Sequence, residues 1–313
     1  MKIVILDLEW NTAYYRKEQR FLNEIIEFGA VKLNERLKVV DDFQMFVKSR
    51  VSKKLRGMVK ELTHISNEQL REEGKDFETV IKTFTKWAGK NTLLLTWSNT
   101  DLYTLMDNCS AFLGDRSIPF LHQYADLQQY VQKRIGWAKG NQLGLSTAAE
   151  EMGISSDDID LHRAKGDSLL CARILQNCYD KTAMQSYIQD ADEEDFYDRF
   201  LFKPYPITDI HSPHIQPEDL AFDCVKCNRP LKRMRSFRRC NKCFESQFLC
   251  PDCNTGYVGR VQVQKLYDSV SIQRTLTETD QPIKANPRKR YRRKRSASSV
   301  TVDKTPVVAG DHV

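Results

Sequence analysis

Five side chains in this sequence could carry out hydrolysis together: Asp7, Glu9, Asp101, His162 and Asp167. Asp7 and Glu9 follow an apolar run, Ile3-Val-Ile-Leu6, the pattern of a strand buried on both faces. Side chains two apart on a strand share a side, so the two carboxylates project together. Held that close they repel, and a divalent cation with oxygen ligands is the usual remedy. Taken alone, the pair fits a strand ending at the surface equally well. Asp101 follows the apolar stretch 92–97 at an expected helix start, and Asp167 closes His162-Arg-Ala-Lys-Gly-Asp167 at another. Each of these acids also fits a first-turn position favoured by the helix dipole. His162 alone also fits a solvated loop histidine.

The order of the elements brings these residues together. Strands are expected at 2–10, 24–33, 37–47, 92–97 and 118–124, with 10–23 as a connecting loop. Helical spacing is expected over 53–73, 77–87, 102–113, 126–135, 145–152, 164–179 and an acidic stretch, 182–202. The short 34–36 link implies an antiparallel pair. The result is an α/β domain over 1–180, a mixed five-stranded sheet flanked by helices. Functional groups gather at the C-terminal ends of parallel strands. Four carboxylates there suit two divalent cations roughly 3.5–4 Å apart, the arrangement that cleaves phosphodiesters. Hard oxygen donors point to magnesium or manganese. An imidazole titrating near ~6.5 suits His162 as general base.

Those motifs resemble the DEDDh-type 3′–5′ exonucleases of the proofreading superfamily. Asp7-Leu-Glu9 has the form of the first motif, Glu24-Ile-Ile-Glu-Phe-Gly-Ala30 that of the strand after it, Trp97-Ser-Asn-Thr-Asp101 that of the second motif, and His162–Asp167 that of the third. The resemblance covers about residues 1–180. It implies a ribonuclease-H-like fold, catalytic Asp7, Glu9, Asp101, His162 and Asp167, and removal of nucleotides from the 3′ end of single-stranded RNA or DNA. The chain departs from many relatives after Glu9, with Trp10-Asn11-Thr12 in place of two threonines. Trp10 suits either stacking on a terminal base or packing over the sheet edge. The second motif resembles the branch that trims histone mRNA and small RNAs, which tilts the expectation towards RNA. The alternatives are a DNA exonuclease and a non-catalytic, nucleic-acid-binding or regulatory zinc protein. His64 is expected to be structural or near the substrate strand, and His122 to be a core histidine.

The second half has a different chemistry. Cys224, Cys227, Cys240, Cys243, Cys250 and Cys253 form three Cys-x-x-Cys pairs. Two such pairs close a tetrahedral zinc site. At least four of the six are therefore expected on zinc, with Cys224, Cys227, Cys250 and Cys253 the first choice. Six thiols exceed one ion, and His211-Ser-Pro-His214 offers a fourth pair that would complete a second zinc site. Eight basic residues and no acid lie between Cys224 and Cys243, a surface suited to phosphates or to a protein partner. The expected layout is a helical and proline-rich linker at 181–220, a zinc-ribbon-like module at 221–265 and a disordered basic tail at 275–313.

Composition agrees with this division. Of the net charge of +6, residues 288–295 supply seven positive charges, so the rest is close to neutral and the basic character is local. No run of about 18 apolar residues predicts a membrane span. The first residues lack the apolar stretch of a signal peptide, and paired cysteines suit a reducing compartment, so a cytoplasmic location is expected.

Overall fold

The computed structural model describes residues 2–137 and 141–279. The chain divides into two compact units, the first ending at Phe202 and the second starting at Lys203.

The first unit is a six-stranded mixed sheet in the order β3-β2-β1-β4-β5-β6. β1 (Lys2–Tyr15), β2 (Arg20–Leu33) and β3 (Val39–Phe46) form an antiparallel meander. Three helices follow: α1 (Gly57–Thr63), α2 (Asn67–Glu72) and α3 (Phe77–Ala88). β4 (Thr92–Thr96) lies parallel to β1, and β5 (Gln123–Asp126) parallel to β4. Between them runs α4 (Asn99–Leu113). After β5 come α5 (Leu127–Arg134), α6 (Leu145–Glu151) and α7 (Ala164–Cys178). The unit ends with α8 (Lys181–Gln185), β6 (Gln189–Asp190) and α9 (Phe196–Leu201).

Strand alternation divides the core. Val4, Leu6 and Leu8 face a cluster with Phe28, Phe77 and Phe84, while Ile3 and Ile5 face another with Leu95, Leu170 and Ile174. Burying each of these side chains stabilises the fold by about 1.5–3 kcal/mol. Asp7 and Glu9 continue the Ile3–Ile5 row, so alternation alone turns them towards the side on which α7 packs.

Several expectations are corrected. Residues 10–23 are not a loop: β1 and β2 continue as a long hairpin, pairing Tyr14 with Phe21, because cross-strand aromatic packing and burial of Leu22 hold the strands together there. The single helix expected over 53–73 is broken at His64, which takes a left-handed conformation (φ 56°), and Ser66 caps the next helix. The fifth strand begins at Gln123. Ile118, Phe120 and Leu121 are buried from a turn, which gives an apolar run without strand pairing. A sixth strand, β6, joins β5, so the sheet exceeds the five strands expected. The stretch 182–202 is not one acidic helix. Ala191, Phe196 and Phe200 anchor it in the core, which carries the unit beyond residue 180. His122 is not a core residue. Its half-exposed ring lies 3.0 Å from the Asp192 carboxylate.

The second unit is built on an antiparallel sheet, β12-β11-β10-β8. β10 (Cys243–Leu249), β11 (Gly256–Lys265) and β12 (Val270–Thr279) supply its length. β7 (Tyr205–Pro206) pairs with β11, and β8 (Lys232–Arg233) and β9 (Arg238–Cys240) pair with β10. A 3-10 turn spans Pro217–Leu220. The sheet outruns the expected 221–265 at both ends, and 275–279 is strand rather than tail. The expected basic tail beyond 279 lies outside the described residues. No helix among the described residues is long and apolar enough to cross a membrane.

Candidate active site and thiol cluster

β1 and β2 set the frame of the acidic site. Asp7 lies opposite Gly29 and Glu9 opposite Glu27. A Cβ at Gly29 would stand 2.0 Å from the Lys165 nitrogen and 2.1 Å from the Ala164 carbonyl carbon. Only a bare backbone at Gly29 lets the N-terminus of α7 lie directly on β2, which brings Asp167 beside Asp7. Gly166 is similarly constrained, since a Cβ there would stand 1.9 Å from the Asp160 oxygen.

One carboxylate oxygen each from Asp7, Glu9 and Asp167 come within 4.8 Å of one another. Asp101, buried in the first turn of α4, stands outside that group. Its Oδ1 accepts a hydrogen bond from the Leu8 amide at 3.2 Å, which fixes it against β1 between Asp7 and Glu9, just beyond the β1–β4 pairing that ends at Ile5. His162 lies on the exposed residue two before α7, in a left-handed conformation (φ 61°).

The electrostatics are those of crowded acids, with Arg163 beside them engaged by Glu27. Burial, then Asp101, Asp167, Glu9 and Glu27, holds the Asp7 carboxyl well above the usual carboxylate range. Burial, then Asp167, Glu27 and Asp101, pushes Glu9 up to about 8. Burial raises Asp101 to about 7, against the Leu8 amide bond. Burial raises Asp167 to about 6, while the His162 amide and ring pull the other way. Hard oxygen donors this close, each made harder to ionise, fit a divalent cation.

Two groups at this site escape a reading of motifs alone. Glu27 is fully buried and accepts from Arg163 Nη2 at 2.7 Å and Nε at 3.2 Å, from the Ala164 amide at 3.3 Å and from Gln44 Nε2 at 2.6 Å. Arg163 directly follows His162, so this buried ion pair anchors the chain on which the histidine sits. The available signal was a second acid inside an apolar strand. Glu24, the first, is buried too, and binds the loop amides of Arg50 and Val51. Trp10 packs against the core, His64 closes α1, and Trp97 donates from Nε1 to the Leu143 carbonyl at 3.2 Å.

In the second unit the sulfurs of Cys224, Cys227, Cys250 and Cys253 lie within 4.8 Å of one another. Asn228 and Asn254, each directly after the second cysteine of its pair, take left-handed conformations (φ 54° and 48°). That lets the chain turn back under the sulfurs: Cys224 N–H bonds the Arg229 carbonyl at 2.8 Å and Cys250 N–H the Thr255 carbonyl at 2.9 Å. The third pair instead closes a tight hairpin in which Cys240 pairs with Cys243, and the left-handed residue is Asn241, between them. Neither that pair nor the exposed His211 and His214 enters a metal-type cluster among the described residues. The second zinc site expected from them is therefore not assembled. The Tyr257 hydroxyl, 3.4 Å from Cys224 Sγ, lowers that thiol to about 6. Four soft thiols with one already biased towards thiolate fit zinc.

The exonuclease family RNase T matches residues 4–175. The "Probable 3'-5' exonuclease KapD" of Bacillus subtilis (strain 168) is 30% identical over 176 residues, 56% of this chain and 82% of that protein. The solved nuclease domain of 3'hExo, described as a DEDDh family member bound to rAMP, aligns with a TM-score of 0.48 at 23% identity, covering 59% of this chain and 92% of that one. A 3'-exonuclease structure described as recognising the histone mRNA stem-loop aligns at 0.47 and 22%, covering 60% and 84%.

Proposed function

The chain belongs to the exonuclease family and is a 3′–5′ hydrolase of phosphodiester bonds in nucleic acid, and from that premise we propose that it trims single-stranded RNA from the 3′ end, using Asp7, Glu9, Asp101, His162 and Asp167. The convergence of Asp7, Glu9 and Asp167, with Asp101 beside them, carries the reading. These carboxylates would hold two magnesium or manganese ions, which supply the charge that favours water attack and departure of the 3′ oxygen.

The chain's own residues do the rest. An imidazole nitrogen of His162 takes the proton of the attacking water. The Glu27–Arg163 pair keeps the His162 segment against β2 while the ring stays in solvent, free to meet a substrate end. Gly29 keeps Asp167 within reach of Asp7. Preference for RNA is supported by the form of the second motif, Trp97-Ser-Asn-Thr-Asp101. In the second unit, Cys224, Cys227, Cys250 and Cys253 would hold one zinc ion, whose contribution is structural.

The test is digestion of 5′-labelled single-stranded RNA and DNA of one sequence with manganese. Stepwise shortening from the 3′ end, faster on RNA, is expected, with Asp7→Ala slower by at least about 10³-fold because several kcal/mol of charge stabilisation goes with the ligand. Faster shortening of DNA would reverse the substrate assignment. Equal activity of Asp7→Ala would remove the site.

A further inference from the structure

The second unit has a basic surface that the hydrolytic site does not use. Of the eight basic residues between Cys224 and Cys243, Arg235 is engaged within the fold and Lys226, Arg229 and Arg238 are met by acids. Lys226 Nζ lies 2.7 Å from Glu278, Arg229 Nε 3.6 Å from Asp252, and Arg238 Nη2 2.6 Å from Glu245. Lys232, Arg233, Arg239 and Lys242 are exposed and have no carboxylate partner among the described residues.

Lys232 and Arg233 on β8 and Arg239 on β9 lie along one edge of β10, and Lys242 lies in the turn that joins β9 to β10. Register places Arg239 opposite Phe244, Arg233 opposite Phe248 and Lys232 opposite Leu249. Paired residues share a face, so Arg233 and Arg239 both project on the side of Phe244 and Phe248, and Lys232 on the opposite side of the same edge. At ~3.4 Å per residue the edge from Phe244 to Leu249 is about 17 Å long. Half-buried Phe237 packs between the two ends, with the Arg233 guanidinium 5.5 Å from its ring centre and the Phe248 ring at 5.9 Å. The thiol cluster anchors this sheet from its other end, since Cys250 directly follows β10.

Cations without carboxylate partners, gathered along one fixed edge and its adjoining turn beside an aromatic ring, suit a single-stranded phosphate backbone that wraps that edge. An acidic protein surface would neutralise the same charges, but the first unit already acts on a nucleic-acid strand, and a tethered second contact raises its local concentration. We infer that the β8–β9 edge is a second nucleic-acid contact, with Lys232, Arg233, Arg239 and Lys242 holding the backbone of a single strand. The inference rests on the exonuclease reading only for the choice of polymer.

The experiment compares two sets of substitutions in the zinc-loaded full chain carrying Asp7→Ala to prevent cleavage. One replaces Lys232, Arg233, Arg239 and Lys242 by alanine. The other replaces Lys226 and Arg229, the cations already paired. Binding to fluorescent oligo-uridylate and oligo-thymidylate is measured across a salt series, with zinc content and circular dichroism as folding checks. The first set is expected to weaken binding at least about tenfold near 0.1 M salt and to flatten the salt slope by about 3, at ~0.7 per phosphate contact. The second is expected to change affinity less than about twofold. Unchanged affinity and slope in the first set, with zinc retained, would overturn the proposal. So would equal losses in the two sets, or binding of poly-glutamate in place of nucleic acid. Cleavage of a nitrophenyl nucleotide ester, which reaches only the acidic site, separates this from the activity: with Asp7 restored, the first set should leave it intact, and inactivity of the wild-type chain would count against the exonuclease reading alone.

Discussion

The carboxylate cluster and the thiol cluster solve the problem of gathering metal-type ligands in opposite ways. The thiols come from two knuckles, each built by a few consecutive residues and turned back by Asn228 or Asn254. The acids come from β1, α4 and α7, far apart in the chain, and meet only because the sheet places β4 parallel to β1 and Gly29 admits α7. Their electrostatics differ as well. The Tyr257 hydroxyl biases Cys224 towards the form that binds metal while Cys227 and Cys253 are held the other way, so the thiols divide, whereas burial and mutual repulsion bias both Asp7 and Glu9 against it. A locally built site stabilises its fold by holding an ion. A site built across the fold stores repulsion that an incoming cation relieves.

The largest effect separating the two is metal removal. Stripping the thiol cluster with a strong chelator should unfold the second unit, since a structural zinc site contributes on the order of 10 kcal/mol. Limited proteolysis should then cut 203–279 and spare 1–202. Survival of both units would show that the thiols are dispensable to the fold.

Next comes Gly29→Ala. The added methyl meets the backbone of α7, so α7 must shift. Overpacking of this kind costs about 1–3 kcal/mol, and a displacement near 1 Å at a catalytic group costs about 10²-fold in rate. Thermal melting and turnover on the same preparation check both numbers. Unaltered turnover would mean that α7 is not held where the close approach places it.

The acidic site should also impose a pH dependence. Glu9, Asp101 and Asp167 stand at about 8, 7 and 6 in the fold, against 4.5, 3.8 and 3.8 as ordinary carboxyls. Between these limits the folded chain binds more protons than the unfolded one, so stability falls as pH rises. Metal-free protein should therefore melt lower at pH 8 than at pH 5. Manganese should narrow the gap, and Glu9→Gln should flatten it. A flat profile in the metal-free wild type would contradict the raised carboxyls.

The smallest effect is expected at the third cysteine pair. Cys240→Ser and Cys243→Ser should each leave one zinc per chain and shift stability by no more than about 0.5 kcal/mol, as for surface changes away from special features. Loss of the ion would bring that pair into the thiol cluster.

The order of the motifs, the mixed sheet and the two kinds of ligand were legible in the sequence, because buried strands, helix starts and Cys-x-x-Cys pairs leave local signatures. The course of residues 10–23, 53–73 and 182–202 was not, because pairing, a left-handed residue and core anchoring overrode local pattern. Spacing already favoured Cys224, Cys227, Cys250 and Cys253, the four that cluster, and the residue after each pair carries a second signal: asparagine follows Cys227 and Cys253, but phenylalanine follows Cys243.

By itself, then, the sequence determined which side chains could take part and that Asp7 and Glu9 share a face. Only the tertiary structure decided that Asp167 joins them while Asp101 binds the Leu8 amide between them, that Glu27 holds Arg163, and which basic residues of the second unit lack a carboxylate partner. The physical reason is range. Alternation and turn conformation are fixed by neighbouring residues, whereas the distance between charges on different elements is fixed by how those elements pack.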